Sequence, residues 1–287
     1  MEFELAPVMV MATAGIMVLI VGLIVQHTKM TRQAMRVPAP RVRHTTRAVA
    51  QKSDVDLNEQ HETEEEEEEE LPIMSCIRER ASVFPRSYVD KVPKWGSQVP
   101  KWIIDRLLEA AMWAPFHGPV PPWRFVVLGK SATLDMQHMT IDFYDRNWRD
   151  IDWKGVRGDE AGYRTWRAKA TNDIDNRWSL VSYMIAIVVR RQAGSKRMQM
   201  WEEECATACA VQNMHLQASA YKGLACYWSS WHSAARDSQD MRDYLKMDDE
   251  DKCLGFFMVG MCDETITVRR SRKPETHLDV EWRCGTE

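Results

Sequence analysis

The stretch WEEECATACAVQNMHLQASAYKGLACYWSS, residues 201–230, predicts a long helix followed directly by a strand. Small and apolar residues recur at helical spacing along it, so one face of this helix is suited to close packing. Gly223 is expected to end the helix as a C-cap, because glycine readily adopts the left-handed backbone found there. The segment LACYWSS that follows is predicted to be a strand that runs into a loop.

The rest of the region from residue 73 onward has the pattern of a packed domain. Apolar spacing predicts a helix over 99–115 that stops at Pro115, and Ser131 is expected to cap another helix. The remaining elements are a polar helix near 238–245 and strands at 123–129, 182–191 and 252–262. Helices and strands mix without a regular βαβ rhythm, which favours the α+β class for residues 73–287.

The N-terminal segment 8–25 holds no charged side chain and is long enough to cross a bilayer. A cleavable signal peptide is the alternative, but Glu2 and Glu4 precede the segment and no small-x-small cleavage site follows. The next residues are strongly basic, which by the positive-inside rule keeps them in the cytoplasm. We therefore expect residues 1–26 to form a single transmembrane helix, with the rest of the chain in the cytoplasm.

Residues 27–72 are expected to be a disordered linker, basic in its first half and acidic in its second. The basic half could rest on anionic lipid headgroups. Glutamates run without interruption over 64–70, and such a block repels itself and cannot bury apolar surface. The acidic run is interpreted as a solvated spacer, with an acidic docking segment as the alternative.

Composition and motifs exclude several classes of function. The net charge of −4 argues against a general nucleic-acid binder. The seven cysteines include no CxxC pair, and although Cys205 and Cys209 share a helix face, no ligands are spaced to complete a zinc site. We expect buried thiols and no metal. Walker, GxGxxG, GxSxG and HExxH motifs are absent from the sequence.

Two polar constellations could bind an anion. Arg78, Arg80 and Ser82 offer planar donor groups and a hydroxyl that suit phosphate oxygens. In a helix Arg78 and Ser82 would share a face, whereas Arg80 and Ser82 would do so only in an extended chain. The second constellation is a basic C-terminal segment with arginines and a lysine at Arg269, Arg270, Arg272 and Lys273.

A third constellation is the loop WAPFHGPVPPWRF, residues 113–125. Four prolines fix its backbone, and Gly118 permits a close approach to another group. His117 lies within this stiff loop, where it either shapes the loop or faces a ligand.

Taken in order, these segments resemble the FMN-dependent nitroreductase family over about residues 73–285. The resemblance rests on the Arg-x-Ser start, the WAPFH…PPWRFVVL loop, the AVQNMHLQA helix, the YWSS strand end, the CLGFFMVG strand and the RKP…VEW tail. The layout of anchor, linker and domain is also similar to that of iodotyrosine deiodinases. The resemblance implies an α+β sandwich with a central mixed sheet flanked by helices. It further implies a flavoprotein that forms a homodimer by exchanging terminal arms. FMN is expected to bind at the subunit interface, with NADH or NADPH as co-substrate.

The resemblance also implies roles for individual residues. Arg80 and Ser82 match the phosphate-binding Arg-x-Ser of the family, and Arg272 matches an arginine that returns to the phosphate. Ala81 stands where many members have another arginine, so one phosphate contact is missing unless Arg78 supplies it.

The flavin ring is expected to meet two further segments. The loop beside the ring corresponds to Pro115, Phe116 and His117, and His117 is the only histidine that the resemblance puts near the flavin. The segment that reaches the ring edge corresponds to Trp228, Ser229 and Ser230. Ser230 is the candidate catalytic residue, through a hydroxyl hydrogen bond at the reactive ring nitrogen.

Residues 135–178 are expected to form a lid over the domain. The lid is either an amphipathic helical cover or the aromatic wall of an acceptor site, formed by the tryptophans Trp148, Trp153, Trp166 and Trp178.

The expected function is that of an oxidoreductase, with ping-pong hydride transfer from NAD(P)H through FMN to an electron-poor aromatic or quinone-type acceptor. Deiodinases hold the amino-acid end of their substrate with a glutamate, a tyrosine and a lysine, for which Asp142, Tyr144 and Arg177 are loose substitutes. Reductive dehalogenation of that type is therefore the alternative function. A membrane-tethered, non-catalytic flavin-binding sensor is the second alternative.

Overall fold

The computed structural model describes residues 72–151, 158–194, 197–266 and 278–283. Its helices are α1 (Pro72–Glu79), α2 (Lys101–Ala111), α3 (Lys130–Asn147), α4 (Glu160–Asn176), α5 (Met200–Ser219), α6 (Ser233–Arg236) and α7 (Gln239–Leu245). Its strands are β1 (Trp123–Leu128), β2 (Val181–Val189), β3 (Leu224–Ser229) and β4 (Lys252–Met261). The α+β class and each predicted helix and strand in this part of the chain are confirmed.

The strands form one sheet in the order β1-β2-β4-β3. Each pair among them is antiparallel, with Phe125 opposite Ile187 and Tyr227 opposite Met258. The parallel pairing that a mixed sheet requires is therefore not found among the described strands. The central strands β2 and β4 are buried almost throughout, because helices cover both faces of the sheet.

One face of the sheet is covered by α2 and α5. The buried residues of α2 recur at spacings of three and four, at Ile103, Ile104, Leu107 and Ala111. They share one core with the small and apolar face of α5, which includes Ala206, Ala210, Val211, Met214 and Ala218. Short side chains on α5 allow this close approach, as the sequence pattern predicts. A second core lies on the other face of the sheet and includes side chains of α3 and α7.

Two predicted helix boundaries are wrong in detail. Gly129, not Ser131, is the N-cap residue of α3, so Ser131 lies inside the first turn. Helix α5 ends at Ser219 with Ala220 as its C-cap, and Gly223 lies beyond it. Gly223 has a positive φ of 81° in the turn that leads into β3, so it shapes the turn rather than capping the helix. Caps depend on one or two residues, which a periodic pattern locates poorly.

The predicted anchor (1–26) lies outside the described residues, as does the predicted linker (27–72) apart from Pro72. Across the part of the chain that the structure describes, no helix combines the length and apolar character needed to cross a membrane.

Candidate functional site

The first part of the site is a short arm, residues 80–84, that leaves α1 and runs beside the edge strand β3. The Val83 backbone N–H donates to the Cys226 carbonyl at 3.0 Å. Next to this bond the rings of Phe84 and Tyr227 are in contact, with centroids 4.6 Å apart. The arm is thus fixed to the middle of β3, a few residues before the strand ends.

The structure decides between the two arrangements left open for the arginines. Helix α1 ends at Glu79, so Arg78 and Ser82 do not share a helix face. Arg78 is exposed on the last turn of α1, while Arg80 and Ser82 are half-buried in the arm. Arg80 and Ser82 therefore remain the candidate phosphate ligands, and Arg78 lines a cavity with Ala81 and His215.

A histidine from α5 holds the arm. The ring of His215 lies with Nε2 3.0 Å from the Ala81 carbonyl oxygen and Nδ1 3.2 Å from Nη1 of Arg80. Only 7% of His215 is exposed. The sequence did not point to His215, because the family resemblance indicated His117 as the only histidine near the flavin. The signal that could have found it is a histidine among the otherwise mostly small and apolar residues on the buried face of α5, where a polar ring needs a hydrogen-bond partner.

The second part of the site is the end of β3 and the turn after it. Trp231 has a φ of +61°, which is unusual for a tryptophan. Ser229 Oγ accepts a hydrogen bond from the Trp231 backbone N–H at 3.0 Å, and the indole N–H donates to Thr140 Oγ1 at 3.0 Å. Strained conformations held by several contacts occur often at functional sites.

The two neighbours of Ser229 are also positioned by the sheet and the turn. The indole N–H of Trp228 donates to the Leu254 carbonyl at 3.2 Å. Ser230 is exposed, and its carbonyl accepts a hydrogen bond from Nη1 of Arg236 at 3.0 Å. The turn therefore directs Ser230 away from the core, as a residue that touches a ligand requires.

An aromatic cavity of about 490 Å³ opens beside Ser229. Its ring-bearing walls are Tyr144, Trp166, Trp178, Tyr227, Trp231 and His232. Charged side chains at Lys169, Asp173 and Arg177 also line it, and burial raises the pKa of the Tyr144 hydroxyl above its usual value. The volume lies within the range of small-molecule sites, and flat walls with a few polar groups are typical of them.

Only part of the predicted lid contributes to this cavity. Trp166 and Trp178 line it, whereas Trp148 stacks on Tyr163 at 5.1 Å in a small core that also includes Tyr144. Trp153 lies outside the described residues. The described part of this segment therefore contributes both packed core residues and part of the aromatic wall of the cavity, whereas its role as a lid over an acceptor stays a prediction.

The third part of the site is the proline-rich loop. Pro115, Phe116 and His117 are exposed and line a second cavity of about 360 Å³ with the N-terminal half of α5, at Trp201, Cys205 and Cys209. Gln192 fixes the loop by donating from Nε2 to the Val120 carbonyl at 2.8 Å. Gly118, with φ of 129°, lies against that amide, and a Cβ there would be 2.8 Å from Gln192 Oε1.

The loop and the arm lie apart within one chain. The loop cavity extends along α5 as far as Cys209, whereas the arm contacts His215, six residues further along the same helix. At 1.5 Å per residue this corresponds to about 9 Å along the helix axis. Arg272 lies outside the described residues. The structure places the arm against the middle of β3 through Val83 and Phe84, and does not place it against the loop.

The cysteines are not candidates for nucleophilic chemistry at the arm. Cys226, Cys253 and Cys262 are buried, and burial raises the pKa of the Cys226 thiol far above its usual value and that of Cys253 to about 11. Protonated thiols are poor nucleophiles. The expectation of buried thiols is wrong for Cys76, Cys205 and Cys209, which are exposed. The described residues contain no group of side chains that could hold a metal ion.

Comparison with known proteins supports the same family over most of the folded region. The model of the nitroreductase family matches residues 77–261. The curated relative YdjA of Escherichia coli strain K12, named as an NAD(P)H nitroreductase, is 26% identical over 163 residues. That match covers 55% of this chain and 74% of YdjA.

Solved structures share the fold. A nitroreductase-like family protein from Bacillus cereus gives a TM-score of 0.53 at 19% identity, covering 75% of this chain and 98% of its own. A nitroreductase from Bacteroides fragilis, solved with bound FMN, also gives a TM-score of 0.53, at 21% identity, covering 74% of this chain and 100% of its own. The family match spans well over half of the sequence and includes the arm, the loop and all four described strands, and this chain belongs to the nitroreductase family.

Proposed function

We propose that this protein is an FMN-dependent oxidoreductase that takes electrons from NADH or NADPH and reduces an electron-poor aromatic or quinone-type acceptor. The observation that carries the proposal is that the arm holding Arg80 and Ser82 is fixed to β3, where its Phe84 contacts Tyr227, a wall of the aromatic cavity. Family membership and the FMN-bound relative support the same reading. Bound FMN would supply the redox chemistry, accepting a hydride and passing the electrons on.

The residues of the arm fit a flavin nucleotide. Arg80 offers a planar, charged donor group, and Ser82 a hydroxyl, two residue types suited to phosphate oxygens. Arg272 is proposed as a further phosphate ligand from the C-terminal segment. Ala81 contributes only backbone atoms, so Arg80 carries more of the phosphate contact in this chain. At the other end, Ser230 is proposed to face the flavin edge.

The aromatic cavity is proposed as the site of the acceptor. Tyr144, Trp166, Trp178 and Trp231 would orient a flat molecule and exclude water from it. The indole of Trp231 is hydrogen-bonded to Thr140 and its backbone to Ser229, so the Trp231 part of the cavity wall is held in one position. Because this part of the wall is already ordered before the acceptor binds, little conformational entropy is lost when it binds.

We further propose that the active protein is a homodimer. The loop at Pro115–His117 and the arm lie at different ends of α5. A ligand that touches both would be held between two subunits, with the arm from one chain and the loop from the other. Exposed apolar side chains around the loop, at Met112, Trp113, Phe116 and Trp201, are consistent with such an interface.

The central test uses the full-length chain purified in detergent. We expect a yellow protein with about one FMN per chain, whose visible band bleaches when NADPH or NADH is added without oxygen. Addition of a nitroaromatic compound or a quinone should restore the band. Tight FMN with no bleaching by either nicotinamide would instead support a non-catalytic flavin-binding sensor, and a protein that binds no FMN would refute the proposal altogether.

Reductive dehalogenation of an iodinated tyrosine is a second candidate function. Two of the three loose substitutes for the deiodinase lid residues, Tyr144 and Arg177, line the aromatic cavity, and Asp173 lines it in place of the exposed Asp142. A tyrosine hydroxyl, a carboxylate and a guanidinium in one aromatic cavity could bind the ammonium and carboxylate groups of an amino acid. Iodide release from iodotyrosine after reduction by dithionite, without bleaching by NADPH, would favour this candidate over the first.

We also propose that residues 1–26 anchor the protein in a membrane, with the remainder in the cytoplasm. The support is the uncharged segment 8–25 followed by basic residues. Deleting residues 1–30 should move the protein from the membrane fraction to the soluble fraction, with its FMN content unchanged. Deleting the glutamates 64–70 is the matched control and should leave membrane association intact. Membrane association that survives the first deletion would contradict the anchor.

A further inference from the structure

His215 makes two contacts whose chemistry fixes the state of its ring. A carbonyl oxygen can only accept, so Nε2, 3.0 Å from the Ala81 oxygen, must carry a proton and donate it. A guanidinium can only donate, so Nδ1, 3.2 Å from Arg80 Nη1, must accept. One neutral imidazole, protonated at Nε2, satisfies both contacts at once.

The surroundings of the ring make these contacts specific. The neighbouring residues on the buried face of α5, Val211, Met214 and Ala218, are apolar, and the ring of Phe257 meets His215 edge-on at 5.3 Å. A polar ring in such a setting is unfavourable unless it is hydrogen-bonded. The two bonds join α5 to an arm that lies 134 and 135 residues earlier in the chain.

We propose that His215 is a positioning residue for flavin nucleotide binding, which holds the Ala81 backbone and the Arg80 guanidinium in the orientation that receives the phosphate. This inference rests on the proposed function, which assigns the phosphate to Arg80. A guanidinium carries five N–H donors in one plane, so a bond at Nη1 sets the plane in which the other donors lie. Position 81 carries only a methyl group, so no donor there shares this task with Arg80.

The test compares FMN with riboflavin, which has the same ring system but no phosphate. In apoprotein prepared from the full-length chain, His215→Phe removes both hydrogen bonds and keeps a planar ring. We expect FMN to bind about tenfold more weakly, a loss of about 1.4 kcal/mol, with riboflavin affinity changed by less than about twofold. His215→Gln, which can donate to Ala81 and accept from Arg80, should recover most of the FMN affinity.

Two further measurements separate positioning from simple structural support. In an Arg80→Ala background, His215→Phe should weaken FMN binding by less than about twofold more, because its effect acts through Arg80. Thr207→Val is the matched control: Thr207 is also buried on α5, but its hydroxyl bonds to Glu203 of the same helix and not to the arm. It should leave the FMN-to-riboflavin ratio unchanged.

The results that would contradict the positioning role differ from the result that would refute the proposed function. Equal losses of FMN and riboflavin affinity, or additive losses in the double variant, would overturn the positioning role. FMN affinity unaffected by His215→Phe would overturn it as well. Wild-type protein that binds neither flavin would refute the proposed function itself, a result that no His215 variant is needed to reveal.

Discussion

Gly255→Ala is expected to lower the free energy of unfolding by about 3–5 kcal/mol, through backbone strain added to steric overlap. Gly255 has a φ of +117°, which side chains on L-residues rarely allow. A Cβ there would overlap the Ser229 carbonyl oxygen and lie 2.9 Å from the Ser230 Cα. The backbone of β4 thus approaches the end of β3 so closely that only glycine fits, next to a register shift between β2 and β4.

The same substitution should also reduce FMN retention, because relief of the overlap would displace the Ser229–Ser230 segment proposed to face the flavin. Urea titration followed by circular dichroism would measure the loss of stability, and the visible spectrum after gel filtration would measure flavin content. Gly96→Ala is the matched control, since Gly96 has a φ of +70° with no atom near its missing Cβ. It should cost about 1 kcal/mol and retain the flavin. Equal effects at the two glycines would contradict the close approach.

Glu203→Ala should lower the free energy of unfolding by about 3–5 kcal/mol, because it leaves a buried cation without its partner. Glu203 is 1% exposed and pairs with the buried Arg191, while its other oxygen accepts the Gln192 backbone N–H at 3.4 Å. Gln192 in turn holds the proline-rich loop through Val120. The loss should therefore loosen the loop as well as the end of β2.

The adjacent residue provides the control. Glu204 pairs with Lys252 at 2.7 Å, but both side chains are partly exposed, so Glu204→Ala should cost less than about 1 kcal/mol. Urea titration of the two variants gives the comparison. The double variant Arg191→Met with Glu203→Leu, which replaces the pair by apolar groups of similar size, should recover most of the stability lost in Glu203→Ala. If Glu203→Ala and Glu204→Ala lowered the free energy of unfolding by similar amounts, burial of the Arg191–Glu203 pair would not be the cause of its effect.

The site was only partly predictable. The Arg-x-Ser segment and the end of β3 were identified from the sequence, and the structure fixes the arm to the same strand at Cys226, three residues before Ser229. Their role as flavin ligands stays a prediction. His215 was not identified, because its partners in the arm lie far away along the chain. The cysteines were misjudged at Cys205 and Cys209 because a pattern of small residues does not reveal which face of α5 a neighbouring element covers.

By itself the sequence determined the α+β class and the order of the helices and strands, since apolar periodicity and turn residues act over a few positions. It also indicated the family, through the resemblance of several short segments. Only the tertiary structure decided that Tyr144, Trp166, Trp178 and Trp231 share one cavity, that His215 holds the arm, and that the loop lies at the N-terminal half of α5 whereas the arm lies near its C-terminal end. These contacts join residues distant in the chain, and they depend on the register in which helices pack on the sheet. Local patterns leave that register open, because it is set by close packing of the whole core.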